Sequence, residues 1–422
     1  MTFHLPHKSV FAGIIGNVME WYDFALYGFM AIIIAKLFFP TGNLMISVIA
    51  TYGIFAAGFL MRPIGAVFFG RMGDKIGRSR IMLISVIMMV IPTFCLGLLP
   101  TYDKAGLIAP ILLIIIRLIQ GLSVGGEFSS SATFLVETAS KNRRGLSGSW
   151  ANFGSTLGIL LGSGMATLTL TLFDETVVMA GAWRLPFLFG GLLGVLAIFL
   201  RIGLPKSEPF QNYILKKPKE SPLKAVFTTG LKEMIQGFLF AASYGVIYYS
   251  TMVYLPTWIS SQTSIPLKES MLFNTITLII VVPLIIFAGW ISDRYIRRTH
   301  FLALSMGFSA VLGIPAALWM TSGSLVAAFT CQLIFGIIMA IALGVAPTLF
   351  VELFPTSHRL TGYSISFNLG MGIIGGTTPM IVTWFIATTE ITIAPAIYML
   401  FWGIIAVITL FWIHDRSREP LR

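Results

Sequence analysis

Charge is what this 422-residue sequence has least of: Asp, Glu, Lys and Arg together make up 11% of it. A soluble domain carries about 25%, so a large water-soluble enzyme is excluded. Histidine is also scarce, and His4, His7, His300, His358 and His414 all fall in polar loops or tails. That leaves the apolar stretches without the bases and ligands a hydrolase or a metal centre would use. The two cysteines, Cys95 and Cys331, lie in separate apolar runs with no metal-type partner nearby, and read as small core hydrophobes. No glycine-rich loop ending in Gly-Lys-Ser/Thr occurs, which argues against an ATP-driven machine. "GMGIIG" (Gly370–Gly375) matches a dinucleotide fingerprint by letters only, because it sits inside an apolar run with no strand before it. No cofactor, metal or catalytic residue is expected.

What the sequence has in abundance is apolar length. Hydrophobic residues make up 56% of it, in recurrent runs near 20 residues, enough to cross a hydrocarbon core of about 30 Å as a helix. The runs do not alternate polar and apolar residues, which excludes a barrel. Twelve spans are expected at 11–38, 45–70, 80–99, 107–138, 146–171, 183–203, 231–258, 270–291, 300–321, 323–351, 361–387 and 391–413. The first is too long and too acidic for a cleaved signal and is expected to be retained. Residues 204–230, rich in proline and lysine, read as a solvated linker between an N-terminal half (1–203) and a C-terminal half (231–422).

Most of the 28 Lys and Arg fall in alternate loops, which carry Arg71 to Arg80, Lys141 to Arg144, Arg201 and the linker lysines, Arg294 to Arg298, and Arg416 to Arg422. Lys36, Lys104, Arg184 and Lys268 fall on the other side. Such asymmetry predicts that the basic loops and both termini are cytoplasmic. The net charge of +11 is then topology rather than a nucleic-acid surface. The lipid bilayer, small solutes and protons are the expected partners.

The chain also echoes itself. "GRMGDKIGR" (Gly70–Arg78) and "GWISDRYIR" (Gly289–Arg297) share Gly, Asp and Arg positions, 219 residues apart. Glu137 and Arg144 recur as Glu352 and Arg359, 215 residues on. Two echoes at nearly one offset predict two homologous halves with a site between them.

At these echoes the chain resembles the major facilitator superfamily: "GRMGDKIGR" is similar to its loop between spans two and three, and "RLIQG" (Arg117–Gly121) to its span-four motif. "GNVMEWYDFALYGF", "FAAGFLMRPIGAVFFGRMGDKIGR", "RLIQGLSVGGEF" and "WRLPF" narrow the resemblance to the metabolite:proton symporters. "PTFCLGLLP", "GSWANFGS" and "YYSTMVYLPTWI" resemble strings of their proline/betaine branch. The resemblance covers essentially the whole chain. It implies an all-α membrane fold of twelve helices in two six-helix pseudo-symmetric bundles, working by alternating access as a monomer in a bacterial plasma membrane. It implies proton-coupled import of a small organic solute, first a proline/betaine-type zwitterion, otherwise a di- or tricarboxylate such as oxoglutarate or citrate. A non-transporting receptor with the same fold is the alternative from another class. Asn152 stands where that branch is expected to carry an acid. The sequence stops about nine residues past span twelve, so the osmotic activation of members with long helical extensions is not carried over.

The residues themselves point to a site. A charge at the bilayer centre costs roughly 2.5–3.5 kcal/mol on insertion scales, so an ionisable residue there is a functional hypothesis. These are Glu20, Asp23, Arg62, Arg117 and Glu127, all in the N-terminal half. Helical spacing puts Asn17, Glu20, Asp23 and Tyr27 on one stripe of span one, and Arg117, Gln120, Val124, Glu127 and Ser131 on one stripe of span four. If the stripes meet, Glu20, Asp23 and Glu127 are candidates for proton coupling, because a desolvated carboxylate holds its proton unless a cation compensates. Asn17, Tyr27, Arg62, Arg117, Asn152, Tyr248, Tyr249 and Asn368 are candidates for substrate contact, the tyrosines through cation–π attraction. Asp74, Arg78, Glu137 and Arg144, with Asp293, Arg297, Glu352 and Arg359, are implied by the resemblance to be latches holding the outward-facing state.

Overall fold

The computed structural model describes residues 8–40, 42, 44–202 and 222–422. A chain in hydrocarbon must satisfy every backbone polar group within itself, and among the described residues the regular elements are all helical. We number the membrane helices in chain order. In the N-terminal half, α1 runs Lys8–Phe29 and continues after Met30 as Ala31–Phe38, bent by 66°. Then come α2 Leu44–Ile76, α3 Arg78–Leu98, α4 Ile108–Glu137, α5 Arg144–Leu172 and α6 Leu185–Arg201. In the C-terminal half, α7 begins as Leu231–Tyr248, passes through a π-helical turn at Tyr249–Tyr254 and ends as Leu255–Gln262. It is followed by α8 Leu267–Arg294, α9 Arg298–Met320 and α10 Leu325–Leu353. Next, α11 joins Arg359–Phe367 to Thr378–Thr389 through a π segment at Asn368–Gly375, and α12 is Ala394–Trp412.

Eleven of these are long and apolar enough to span alone, and the bent α1 pair makes twelve. The expected span count and all-α class are therefore found. Of the expected linker, 204–221 lie outside the described residues, and Pro222–Thr228 form a short helix.

Small residues set how the helices pack, because lipid gives apolar side chains no reason to associate. In α5, an added Cβ at Gly154 would lie 2.7 Å from the Ile14 carbonyl of α1, and one at Gly162 2.9 Å from that of Tyr22. In α4, Gly121 and Gly125 admit the backbone of α2 at Gly58 and Arg62. This second approach sets the Arg62 side chain between the bundles. The π segment of α11 packs on α7 at Gly245, one turn before the π turn of α7, where an added Cβ would be 3.0 Å from the Cα atoms of both Gly375 and Met371. π turns shift the side-chain register of a helix and concentrate at functional sites.

Candidate functional site

The stripes on α1 and α4 do meet. Asn17 donates to Ser131 Oγ at 3.0 Å, and Gln120 to Asp23 Oδ1 at 3.0 Å. Along this seam three acid–arginine pairs follow one another at intervals of about one helical turn of α1.

The first, nearest the basic loops, joins Glu127 to Arg201 at the end of α6. Arg201 Nη1 donates to Glu127 Oε2 at 2.9 Å, Nη2 to Oε1, and Ser85 Oγ also to Oε2. Both side chains are fully buried. Counted from sequence as a loop charge, Arg201 instead closes a bidentate pair inside the bundle. The pair presses on α1 at Gly16, where a Cβ would collide with both the guanidinium and the carboxylate. Gly16→Ala is expected to cost about 1–3 kcal/mol by overpacking, read as a lower melting temperature in detergent; an unchanged melting temperature would show that the pair has room.

The third pair, furthest out, is also closed. Asp23 Oδ2 accepts from Arg117 Nη1 at 2.7 Å, and Oδ1 accepts from Thr93 Oγ1 and Gln120 Nε2, each at 3.0 Å. The Arg117 guanidinium lies 3.7 Å from the centre of the Tyr27 ring, and Tyr27 OH donates to the Thr51 carbonyl.

The middle pair is open. Arg62 Nη2 stands 3.9 Å from Glu20 Oε1, beyond hydrogen-bond reach. The guanidinium is held instead by rings, 4.2 Å from the centre of Phe59, 4.7 Å from Phe24 and 5.9 Å from Trp21. Among the described residues, Glu20 Oε2, Arg62 Nε and Nη2, Trp21 Nε1 and Tyr249 OH are buried atoms without a hydrogen-bond partner, as are Arg117 Nε and Nη2 of the pair beyond. Each such group costs about 1–3 kcal/mol, and native cores rarely gather so many. Trp21 meets Tyr248 of the other half edge-on at 6.4 Å, and Tyr248 meets Tyr249 at 5.4 Å. One carboxyl, one guanidinium and three amphipathic rings thus converge between the bundles.

Other expected substrate residues tie the halves together. Asn152 Nδ2 donates to the Leu343 carbonyl at 2.7 Å and approaches Tyr244 OH at 3.4 Å. Asn368 Nδ2 donates to the carbonyls of Gly125 at 3.0 Å and Ser364 at 2.8 Å.

On the basic face the halves hold each other by a two-fold set of charges. Asp74 accepts from the N–H groups of Leu360 (3.3 Å) and Thr361 (2.9 Å) and from the Thr361 hydroxyl (2.7 Å). Asp293 accepts from the N–H groups of Gly145 (2.7 Å) and Leu146 (2.8 Å). Each carboxylate caps the first turn of α11 or α5 in the opposite half, where free N–H groups and the helix dipole favour an anion. Glu137 pairs with Arg359 at 2.7 Å, and Glu352 with Arg144 at 2.9 Å. The expected Arg297 is not in this set. It is exposed and precedes α9 in extended conformation, while Arg298 on the first turn is buried 2.8 Å from Glu352 and 3.2 Å from Asp293. The side chain of Arg78 lies outside the described residues. All these polar ties lie between the middle of the bundles and the basic face, so the structure is closed on that side.

The family model described as "Sugar (and other) transporter" matches residues 9–233, and that of the "Major Facilitator Superfamily" matches residues 237–422. The chain belongs to the major facilitator superfamily. This facilitator is a membrane transporter, not an enzyme. It is 32% identical over 98% of its length to the "Proline/betaine transporter" of Escherichia coli (strain K12), covering 85% of that protein. It is also 32% identical to the "Glycine betaine/proline/ectoine/pipecolic acid transporter OusA" of Dickeya dadantii, over 98% of this chain and 84% of the relative. A "Putative proline/betaine transporter" of Staphylococcus aureus is 33% identical over 96% of this chain and 88% of its own. Among solved structures, the proton:xylose symporter XylE bound to 6-bromo-6-deoxy-D-glucose superposes with a TM-score of 0.81. That match covers 98% of this chain and 97% of XylE at 16% identity, a likeness of fold.

Sequence reasoning missed two participants in this facilitator, Arg201 and Arg298. Arg201 was hidden by its place at the end of an apolar run, where an arginine ordinarily reaches solvent. Arg298 differs from Arg297 only by one residue of register. For both, the only signal in the sequence was proximity to a motif. Trp21, expected to line or pack the flank of the span-one face, lies against Arg62 and Tyr248.

Proposed function

We propose that this facilitator imports a small zwitterion of the proline/betaine type together with protons. The observation that carries the reading is the open middle pair. Glu127 closes Arg201 through both terminal nitrogens and Asp23 takes Nη1 of Arg117, whose Nε and Nη2 stay buried beside the Tyr27 ring, so among the described residues Arg62 is the intramembrane arginine with no carboxylate in hydrogen-bond reach. The faces of Trp21, Tyr248 and Tyr249 suit the cationic end, since a desolvated ammonium over an aromatic face gains about 2 kcal/mol or more. An aromatic wall beside the arginine that no carboxylate holds matches a zwitterion better than a di- or tricarboxylate, which has no cationic end to place against the rings. The names of the curated relatives point the same way.

Coupling follows from the same geometry. With Glu20 ionised, its charge competes with the substrate carboxylate for Arg62. A proton on Glu20 removes that competition, so substrate and proton enter together. Asp23 and Glu127, each holding an arginine, keep the seam in register, and Asn152 and Asn368 join the halves in the closed arrangement. The basic loops read as cytoplasmic, the membrane as the bacterial plasma membrane, and the working unit as a monomer of two bundles joined by the 204–230 segment. The two-fold set of carboxylates and arginines then holds the cytoplasmic face shut.

The test is a competition panel in proteoliposomes with an imposed inward proton gradient. Unlabelled proline and betaine are expected to suppress labelled uptake, while oxoglutarate, citrate and shikimate do not. Arg62→Lys, which keeps the charge but loses the fork, is expected to raise the substrate KM at least about tenfold, since hydrogen bonds to charged groups are worth about 1.5–3 kcal/mol. Suppression by the dicarboxylates alone, with Arg62→Lys unchanged, would overturn the reading.

A further inference from the structure

Two latch arginines, Arg144 and Arg359, have a second set of partners that the transport cycle described above does not use. Arg144 sends Nη1 to Glu352, but its Nη2 donates to the main-chain oxygens of Glu419 at 2.6 Å and Ser417 at 3.3 Å. Arg359 sends Nη1 to Glu137, and its Nη2 donates to the main-chain oxygen of Arg422 at 2.6 Å. Both forks are therefore divided between a carboxylate of the opposite half and the segment after α12. That segment crosses the cytoplasmic mouth from one latch to the other.

It is fastened along its course. Asp415 accepts from the N–H and hydroxyl of Thr299 at 2.9 and 3.0 Å, which pins the start of the segment to the first turn of α9. Arg416 pairs with Glu419 at 2.7 Å and shapes the turn between them. Thr356 N–H donates to the Arg422 oxygen at 2.9 Å, and Arg422 Nη2 donates to the Leu353 carbonyl at 3.0 Å. Leu421 packs on the core of the C-terminal half. The Ser417 and Glu419 oxygens that Arg144 uses are thus presented by a turn, and the Arg422 oxygen that Arg359 uses is held by Thr356.

We infer that residues 415–422 are a strap that stabilises the state closed to the cytoplasm. The segment belongs to the C-terminal half, yet through Arg144 it holds the N-terminal half, and through Arg359 it supports the arginine that binds Glu137. Opening the cytoplasmic face separates Arg144 from Glu352 and from the strap together. An oxygen on the strap also completes each guanidinium fork, which fixes the arginine in the rotamer its carboxylate needs. The strap acts only while the face is shut, so its loss shifts the balance between states rather than the substrate site itself. The inference rests on the cytoplasmic assignment of the basic face but not on the identity of the substrate.

Spin labels on the exposed Lys141 and Arg294, one on each half beside the latch, report the width of this mouth by double electron–electron resonance. The background is the full chain with Cys95→Ser and Cys331→Ser, since both native cysteines are free. Deleting 417–422 is expected to raise the wide-mouth population about tenfold relative to the intact chain. A second variant keeps every residue but inserts Gly-Ser-Gly-Ser after Asp415, moving the strap oxygens out of reach, and is expected to do the same. Substrate affinity measured by binding is expected to stay within about twofold once the population shift is allowed for. A distance distribution unchanged in the insertion variant would overturn the strap, even if the deletion failed to fold. A widened mouth with normal competition by zwitterions upholds it, and a failure of the zwitterion panel leaves the distance result standing.

Discussion

Proteoliposomes carrying Glu20→Gln will bind and exchange substrate but will not concentrate it. A gradient of about two pH units stores about 2.7 kcal/mol per proton and supports about a hundredfold accumulation when one proton moves with each substrate. The wild type is expected to approach that ratio, and the uncoupled variant to level at equal concentrations inside and out. The cause is the open geometry of the middle pair, 3.9 Å from guanidinium to carboxylate with Oε2 unpartnered. A glutamine of the same shape cannot ionise, so it leaves Arg62 permanently available and removes the competition that ties substrate to proton. Counterflow of labelled against unlabelled substrate measures the retained exchange. Normal accumulation by Glu20→Gln would return the coupling role to Asp23 or Glu127, which Asp23→Asn and Glu127→Gln then separate. Accumulation that survives a proton uncoupler would sink symport altogether.

The second large effect is on stability. Arg201→Ala strips a fully buried carboxylate of a bidentate partner and leaves it, among the described residues, with Ser85 as its remaining side-chain partner. Breaking a buried pair from one side costs about 3–5 kcal/mol, because the surviving charge stays desolvated. Replacing both partners by apolar or neutral groups of similar volume is often close to neutral. Arg201→Ala is therefore expected to melt far below the wild type in detergent, and Glu127→Gln with Arg201→Met to recover most of the loss. The double variant also separates structure from coupling. If it folds and still accumulates substrate, Glu127 is a helix tie; if it folds but only exchanges, Glu127 carries protons as well. A wild-type melting curve for Arg201→Ala would show that Glu127 is neutral in the folded bundle.

How much of this could be read beforehand depends on the range of the interaction. The all-α class and the twelve spans follow from composition and run length, because the bilayer is a uniform solvent that judges each segment on its own. The pairing of the halves was legible because the repeats "GRMGDKIGR" and "GWISDRYIR" are local strings. The α1 and α4 stripes were legible because helical periodicity is local too.

Distances across the bundle were not. Glu20, Asp23 and Glu127 look alike as letters in apolar helices. Which of them is held by an arginine depends on Gly16 admitting the Arg201 pair, on Gly125 admitting the backbone at Arg62, and on Thr93 and Gln120 closing around Asp23. Arg297 and Arg298 were likewise indistinguishable until the first turn of α9 put one outside and the other against Glu352. The sequence decided that acids and arginines would share the membrane. Only packing at fractions of an ångström decided that two pairs close and the one between Glu20 and Arg62 stays open, because a hydrogen bond is made or lost over less than 1 Å.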